Sequence, residues 1–554
     1  MNARGATVLR TASFLEELAR GTHCTAAGDR AEAGGAVPCR FPSHGELRCS
    51  RCGAPPPAEA GSTEGAEVEP EGAPVSAPRG RKWSAYQEAV FDWVAEPTTA
   101  HLVIEALAGS GKSTTMTEAA TYTPPGDSVI FTAFNREIAR ALAPKVPEGC
   151  EVATLHSHGL RAVSAQLGRR EVDKDLTFGL AKRLMGGARE TLETRRAVCK
   201  LVAGAKATLA WGMPALDAVA DRFELDLGDK QQRAKAVGAA QHILEQCRDT
   251  PEGSPIDFDD MIWLPVVRGW PVRQADWCFV DETQDLNPAQ LELTRKIARH
   301  HVVAVGDRRQ AIYAFRGADP QAIPRMIREL EATVLPLSIC YRCPVAVIQE
   351  AQQLVPQIEA APGAPEGLVR HAPIEALRAQ AGPGDFVISR VNAPLVSLAF
   401  RFLGEGRRAV IRGRDIGAGL TQWVRAQNAG SVRELLTAVA DWEAREADRI
   451  VALERDPAHV YDRAECLRAI CRGATSPDEV AGKIDRLFSD DMPGGAIILT
   501  STHRAKGLEA DRVWVLRDTY CKRPGVEERN LLYVAITRAQ RELVYVSGED
   551  EGEP

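Results

Sequence analysis

No stretch of the 554-residue chain holds 18 uninterrupted apolar residues, so no membrane-spanning helix is expected. Positive charge is not in excess either: 68 Lys and Arg stand against 75 Asp and Glu, a net charge of −7. That excludes a protein holding nucleic acid by bulk charge, because sequence-independent affinity for phosphate needs concentrated cations. It leaves room for a local basic channel. The opening, MNARGATVLRTASFLEEL, lacks the apolar centre and small-residue cleavage site of a signal peptide. The 13 cysteines are odd in number and scattered, so no disulfide framework is expected. These absences point to the cytoplasm, and Arg-heavy, Ala- and Gly-rich usage fits a GC-rich bacterium or its phage. Residues 54–78 contain no aromatic residue, no Lys and no Arg. Such a stretch cannot bury enough apolar surface to offset its ordering entropy, and it reads as a disordered linker behind a head of residues 1–53.

What is present beyond the linker is an alternation of strands and helices. LVIEAL (102–107), SVIFTAF (128–134), DWCFVDE (276–282), VVAVGD (302–307), DFVISR (385–390), AIILTS (496–501) and RVWVLR (512–517) are short apolar runs with polar ends. That pattern predicts an α/β protein with parallel sheets covered on both faces. Residues 160–260 and 418–490 read as mainly helical insertions. In such folds the chemistry gathers at the carboxyl ends of the strands.

Two of those ends carry recognisable chemistry. After the first strand, Ala108, Gly109, Ser110, Gly111, Lys112, Ser113 and Thr114 lead into a helix. Glycines there let backbone N–H groups surround phosphates, a Lys reaches their oxygens and a Ser hydroxyl coordinates Mg²⁺. The usual first glycine of this loop is Ala106, a departure. CFVDETQD then places Asp281 and Glu282 at the end of an apolar strand, where paired carboxylates are costly unless they hold a cation or move a proton. Asp281 would join Ser113 in holding Mg²⁺, and Glu282 would orient and deprotonate an attacking water. Together they predict an ATPase.

An ordered set of motifs over about residues 80–545 resembles the superfamily 1 DNA helicases of the UvrD/Rep type. WSAYQEAV resembles their adenine-reading Q motif, AGSGKS motif I, VDETQD motif II, VGDRRQAIYAFRGAD (305–319) motif III, LSICYRCP (337–344) motif IV, STHRAKGLE (501–509) motif V and NLLYVAITRA (530–539) motif VI. FDDMIWLP (258–265) and the short second insertion are similar to an F-box-helicase-like or phage branch. The resemblance implies two RecA-like domains, residues 79–335 and 336–554, with ATP and Mg²⁺ between them. It implies that Gln87 reads adenine, Tyr341 stacks on it, Glu509 binds the ribose, Gln310 senses the γ-phosphate, and Arg342 and Arg538 contact it. On the strand-tracking side it implies Asn135, Arg136, Thr154, His156, Tyr313, Phe315, Arg316, Arg390, Asn392, His503 and Lys506, contacting the strand or coupling it to ATP. Aromatic platforms in a cationic groove suit single-stranded DNA without sequence preference.

The implied activity is a 3′→5′ DNA helicase or translocase acting on single strands and junctions. Stripping proteins from DNA without much unwinding, and a nucleotide switch that never moves along a strand, are the competing readings. In the head, Cys24, Cys39, Cys49 and Cys52, with CSRCG shaped like a zinc knuckle, would suit Zn²⁺ or would be free thiols in a tail that meets a protein partner. His23 or His44 could stand in for one cysteine.

Overall fold

The computed structural model describes residues 82–548 apart from 134, 187–191, 252, 313–318, 320, 453–455, 491–493 and 522–524. All of these fall within one compact unit, Glu67–Pro554. The head and its four cysteines lie outside the described residues, as do the linker and Tyr313, Phe315 and Arg316.

The first sheet contains β1 (Leu102–Ala106), β2 (Val129–Ala133), β3 (Glu151–Thr154), β4 (Ala275–Val280), β5 (Ala298–Gly306) and β6 (Thr333–Leu337). They run in the order β3-β2-β4-β5-β1-β6, and every pair is parallel. Alternation along each strand sends residues to opposite faces. Leu102, Ile104, Phe131, Phe279, Val303 and Val305 pack in one core layer, while Val103, Ile130, Cys278, Val280, Val302 and Ala304 pack in the other. Both faces are therefore dry along β1, β2, β4 and β5, which is why those strands read as continuous apolar runs.

After a short parallel pair, β7 (Ile339–Cys340) and β8 (Glu359–Ala360), comes the second sheet. It is built from β9 (Leu368–Pro373), β10 (Phe386–Ser389), β11 (Ala409–Arg412), β12 (Phe488–Ser489), β13 (Ile497–Ser501), β14 (Ala510–Leu516) and β15 (Ala539–Ser547). Its order is β12-β11-β13-β10-β14-β15-β9, again wholly parallel. Two sheets of this kind match the expected α/β architecture.

Two long helical segments interrupt the succession of strands. Helices Leu176–Leu184, Leu192–Thr208, Met213–Arg222 and Lys230–Asp249 build a separate core around Leu201, Val202, Val237 and Ile243. Helix Asp260–Val267 joins that core to the first sheet: Met261, Trp263 and Leu264 face the insertion, and Ile262 packs under the sheet. In the second half, helices Arg414–Ala426, Val432–Ala452, Ala458–Cys471 and Pro477–Leu487 lie between β11 and β12.

Candidate nucleotide cleft and strand face

Because β1, β2, β3, β4 and β5 are parallel, their carboxyl ends share one edge of the sheet. The loop after β1 turns twice through left-handed backbone, at Gly109 (φ 68°) and Gly111 (φ 79°), and helix Lys112–Ala119 starts at once. Only glycine takes those conformations without strain. Ala106 is still in β1 and fully buried, so a Cβ costs nothing there; the missing glycine is explained. From the end of β4, Asp281 Oδ2 accepts from Ser113 Oγ at 3.1 Å. Burial lifts the Asp281 carboxyl to about 6, with the Glu282 charge adding to the rise. Burial also pulls Glu282 upward, but the Lys112 ammonium, then Lys506, holds it below the usual carboxylate range. A cation beside Asp281 would offset the cost of its buried charge, and Glu282 is held in its ionised form. Glu282 itself sits in left-handed backbone (φ 52°), an uncommon state for a non-glycine residue.

The second sheet supplies the opposite wall. Tyr533 Oη, on helix Val526–Ile536, accepts the Ala108 backbone N–H at 2.9 Å, and the Tyr341 N–H donates to the Gly109 carbonyl at 2.9 Å. A Cβ on Gly109 would lie 2.7 Å from Cys340 Sγ and 2.8 Å from Arg342 Cβ, so the loop touches the second half directly. Arg342 Nε pairs with Glu509 at 2.5 Å. Arg538 is 1% exposed and donates to the carbonyls of Val534 (2.9 Å) and Leu508 (3.1 Å) and to Thr537 Oγ1 (3.1 Å). None of these is an anion, and burial together with Arg342 pushes the guanidinium down to about 10. Lys506 Nζ reaches Asp285 at 2.5 Å, the Gln310 carbonyl at 2.9 Å and Glu282 at 4.0 Å. Gln310 Nε2 donates to the buried Asp307 at 2.8 Å. At the rim, Gln87 Nε2 donates to Thr115 Oγ1 (3.0 Å), and the half-exposed Tyr341 hydroxyl lies 3.4 Å from Gln87 Oε1.

These side chains fit a magnesium nucleotide. Ser110 Oγ is buried in the loop without a hydrogen-bond partner, and Arg538 is a buried cation without a carboxylate. An anion at the loop would satisfy Ser110, and negative charge beside Arg538 would balance the guanidinium. Among the described residues no group of three or more His, Cys, Asp or Glu side chains is arranged for a metal. Cys340 and Cys343 are buried, free thiols.

The strand residues divide. Asn135 caps helix Arg136–Leu142, its Oδ1 accepting from Ile138 N–H at 2.8 Å, and leaves Arg136 exposed. Thr154 caps helix Leu155–Leu167. His156 is stacked on Phe258, ring centroids 4.0 Å apart, and burial followed by the nearby Arg136 charge lowers it to about 4. Phe258 is half exposed and was not among the residues singled out from the sequence; its signal is an aromatic among three acids in DFDDM (257–261). Arg390 is committed to Glu528 (2.7 Å), and Asn392 to Asp462 (3.1 Å) from the second insertion. Lys506 faces the acidic cluster of the cleft rather than open solvent, while His503 lies in the short helix Thr502–Ala505.

Comparison with known proteins agrees with this geometry. The UvrD/REP helicase N-terminal domain matches residues 88–331, and the UvrD-like helicase C-terminal domain matches residues 496–546. ATP-dependent DNA helicase Rep of Escherichia coli K12 is 31% identical over 141 residues, 23% of this chain and 21% of that protein. F-box DNA helicase protein 1 of Schizosaccharomyces pombe is 22% identical over 514 residues, 80% of this chain and 55% of the relative. ATP-dependent DNA helicase PcrA of Staphylococcus aureus is 30% identical over 119 residues, 20% of this chain and 16% of that protein. The chain thus spans little more than half of the relative it matches at greatest length, and far less of the others. The matched segments carry Lys112, Ser113, Asp281 and Glu282 on one wall of the cleft and Lys506 and Arg538 on the other, and the chain belongs to the UvrD/Rep-type family of helicases.

Proposed function

We propose that this protein is an ATP-dependent DNA helicase that moves along single-stranded DNA, probed most directly through its ATPase. The observation that carries the reading is the meeting of Lys112, Ser113, Asp281 and Glu282 from one sheet with Arg342, Lys506 and Arg538 from the other. The loop N–H groups and Lys112 would hold the triphosphate, and Ser113 with Asp281 would hold Mg²⁺, which neutralises charge on the transferred phosphoryl group. Glu282 takes the proton of the attacking water. Arg538 and Arg342 stabilise the charge that develops, a role worth about 10³–10⁵ in rate for an arginine supplied across a cleft. Gln87 and Tyr341 orient the base, and Glu509 turns to the ribose.

Closure of this cleft and its reopening alternate the grip of the two halves on the strand, a gating cycle of the lid-closing kind. Movement 3′→5′, action at junctions in replication or repair, and domain limits of 79–335 and 336–554 complete the reading. The head would bind Zn²⁺ through its cysteines and meet a protein partner; one zinc per chain in metal analysis supports that, and none removes it. The first test is ATP hydrolysis with and without single-stranded DNA in wild type and Lys112→Ala. Strong stimulation that the substitution abolishes supports the motor. Hydrolysis indifferent to DNA and RNA alike would instead identify a nucleotide switch.

A further inference from the structure

Lys206 lies in the middle of the first insertion, on helix Leu192–Thr208, and only 1% of its side chain reaches solvent. A lysine this deep is costly unless paired, and here both partners come from another element: Asp257 Oδ2 at 2.6 Å and Asp260 Oδ1 at 2.8 Å. Those two aspartates also cap each other. Asp260 N–H donates to Asp257 Oδ1 at 2.8 Å, and Asp257 N–H donates to Asp260 Oδ2 at 3.0 Å. Thr177 Oγ1 donates to Asp257 Oδ2 at 2.8 Å. The turn 257–260 is thereby closed from three sides, and the residue it holds outward is Phe258, the ring stacked on His156. The helix carrying His156 is set just as tightly, since a Cβ on Gly159 would fall 1.9 Å from the Met261 carbonyl oxygen.

We infer that Lys206 is a positioning residue for the strand-binding face: through Asp257 and Asp260 it fixes Phe258 against His156, and so ties the first insertion to an exposed aromatic ring that would serve as a stacking platform for a base. A buried ion cluster is a poor source of stability compared with well-packed apolar side chains, but it admits few geometries. That property suits a turn whose one exposed ring must face a fixed partner. The inference rests on the strand-tracking function proposed above and adds to it a role for the insertion, which touches the platform through this cluster.

A double-mutant cycle tests it in the full-length protein, reading the oligo(dT) concentration that half-saturates ATPase stimulation, alongside DNA-free ATPase and the KM for ATP. Phe258→Ala is expected to raise that concentration about tenfold. Lys206→Met should do the same, with DNA-free ATPase and the KM for ATP within twofold of wild type. Combined, they should be no worse than Phe258→Ala alone. If Lys206→Met yields no folded protein, Lys206→Met/Asp257→Asn/Asp260→Asn, which leaves no buried charge in the cluster, takes its place under the same criteria. A normal half-saturating concentration in the lysine variant, or effects that multiply in the combined variant, overturns the inference while leaving the motor intact. Absence of any DNA stimulation in wild type overturns the motor itself, and the two failures are thus distinguished.

Discussion

His156 shows how a single environment decides what a residue can contribute. Burial and the adjacent Arg136 hold its imidazole at about 4, so above that pH it is neutral and offers a ring face, not a charge. Arg136, exposed at the start of its helix, is the cation of the pair. The salt dependence of strand binding separates the two. Arg136→Ala should flatten the slope of log K against log salt by about 0.7, the single-strand value for one lost phosphate contact. His156→Phe should leave the slope unchanged between pH 6 and 8 and keep affinity within about threefold; a flatter slope would mean that the histidine is charged after all. Acid stability carries the same signature. His158 is likewise lowered to about 4, mainly by burial. Folded-state values below the ordinary histidine range mean that the unfolded chain takes up these protons first. Stability is therefore expected to fall as pH drops from about 6.5 towards 4, with the change reduced in His158→Gln.

At the scale of elements, the contact between helices Leu155–Leu167 and Asp260–Val267 depends on one absent side chain. Gly159→Ala would force a methyl group into the Met261 carbonyl, and helix backbones cannot yield as a flexible side chain can. Overpacking of this kind costs about 1–3 kcal/mol. The expected outcome is a thermal midpoint a few degrees lower and weaker strand binding, with the KM for ATP unchanged; an unaltered midpoint would show that the helices can separate freely. Elements also mark where sequence reasoning reached its limit. All seven strands read from apolar runs are present, because each is covered on both faces. Four strands that gave no such run, β3, β6, β9 and β12, are the edges of the two sheets. An edge strand such as LVRHAP keeps one side wet and so mixes polar residues into its run. β15 lies inside the sheet, yet its first half, AQRE, is partly exposed and hides it. The phosphate loop was legible because its glycines answer to local backbone geometry. The Lys206 cluster and the Asn392–Asp462 contact were not, since each joins residues about 50 to 70 positions apart whose spacing follows no local period.

Across the whole molecule, the two sheets are joined at the cleft by few polar contacts, and Lys506 makes the most demanding of them. Its ammonium is nearly buried between Asp285 and the Gln310 carbonyl, both from the first half, although it is itself carried by the turn after β13. Asn530 adds weaker links to the carbonyls of Arg308 (3.2 Å) and Ala311 (3.4 Å). When the halves part, Asp285 can regain water; when they close, it depends on Lys506. Lys506→Met should therefore penalise the closed state alone, by about 3–5 kcal/mol for a buried carboxylate stripped of its partner. Such a penalty corresponds to roughly 10²–10³ or more in the closing equilibrium. We expect ATP turnover to fall by about that factor, with the thermal midpoint of the nucleotide-free protein shifted by no more than a few degrees. Fluorophores placed on the two halves should report loss of the approach that the proposed cycle expects a non-hydrolysable ATP analogue to induce. A variant that still closes normally would show that Lys506 acts only on the chemical step. A variant that simply melts would show that the ion pair belongs to the folded core, and in neither case would it be the catch that links nucleotide to domain closure.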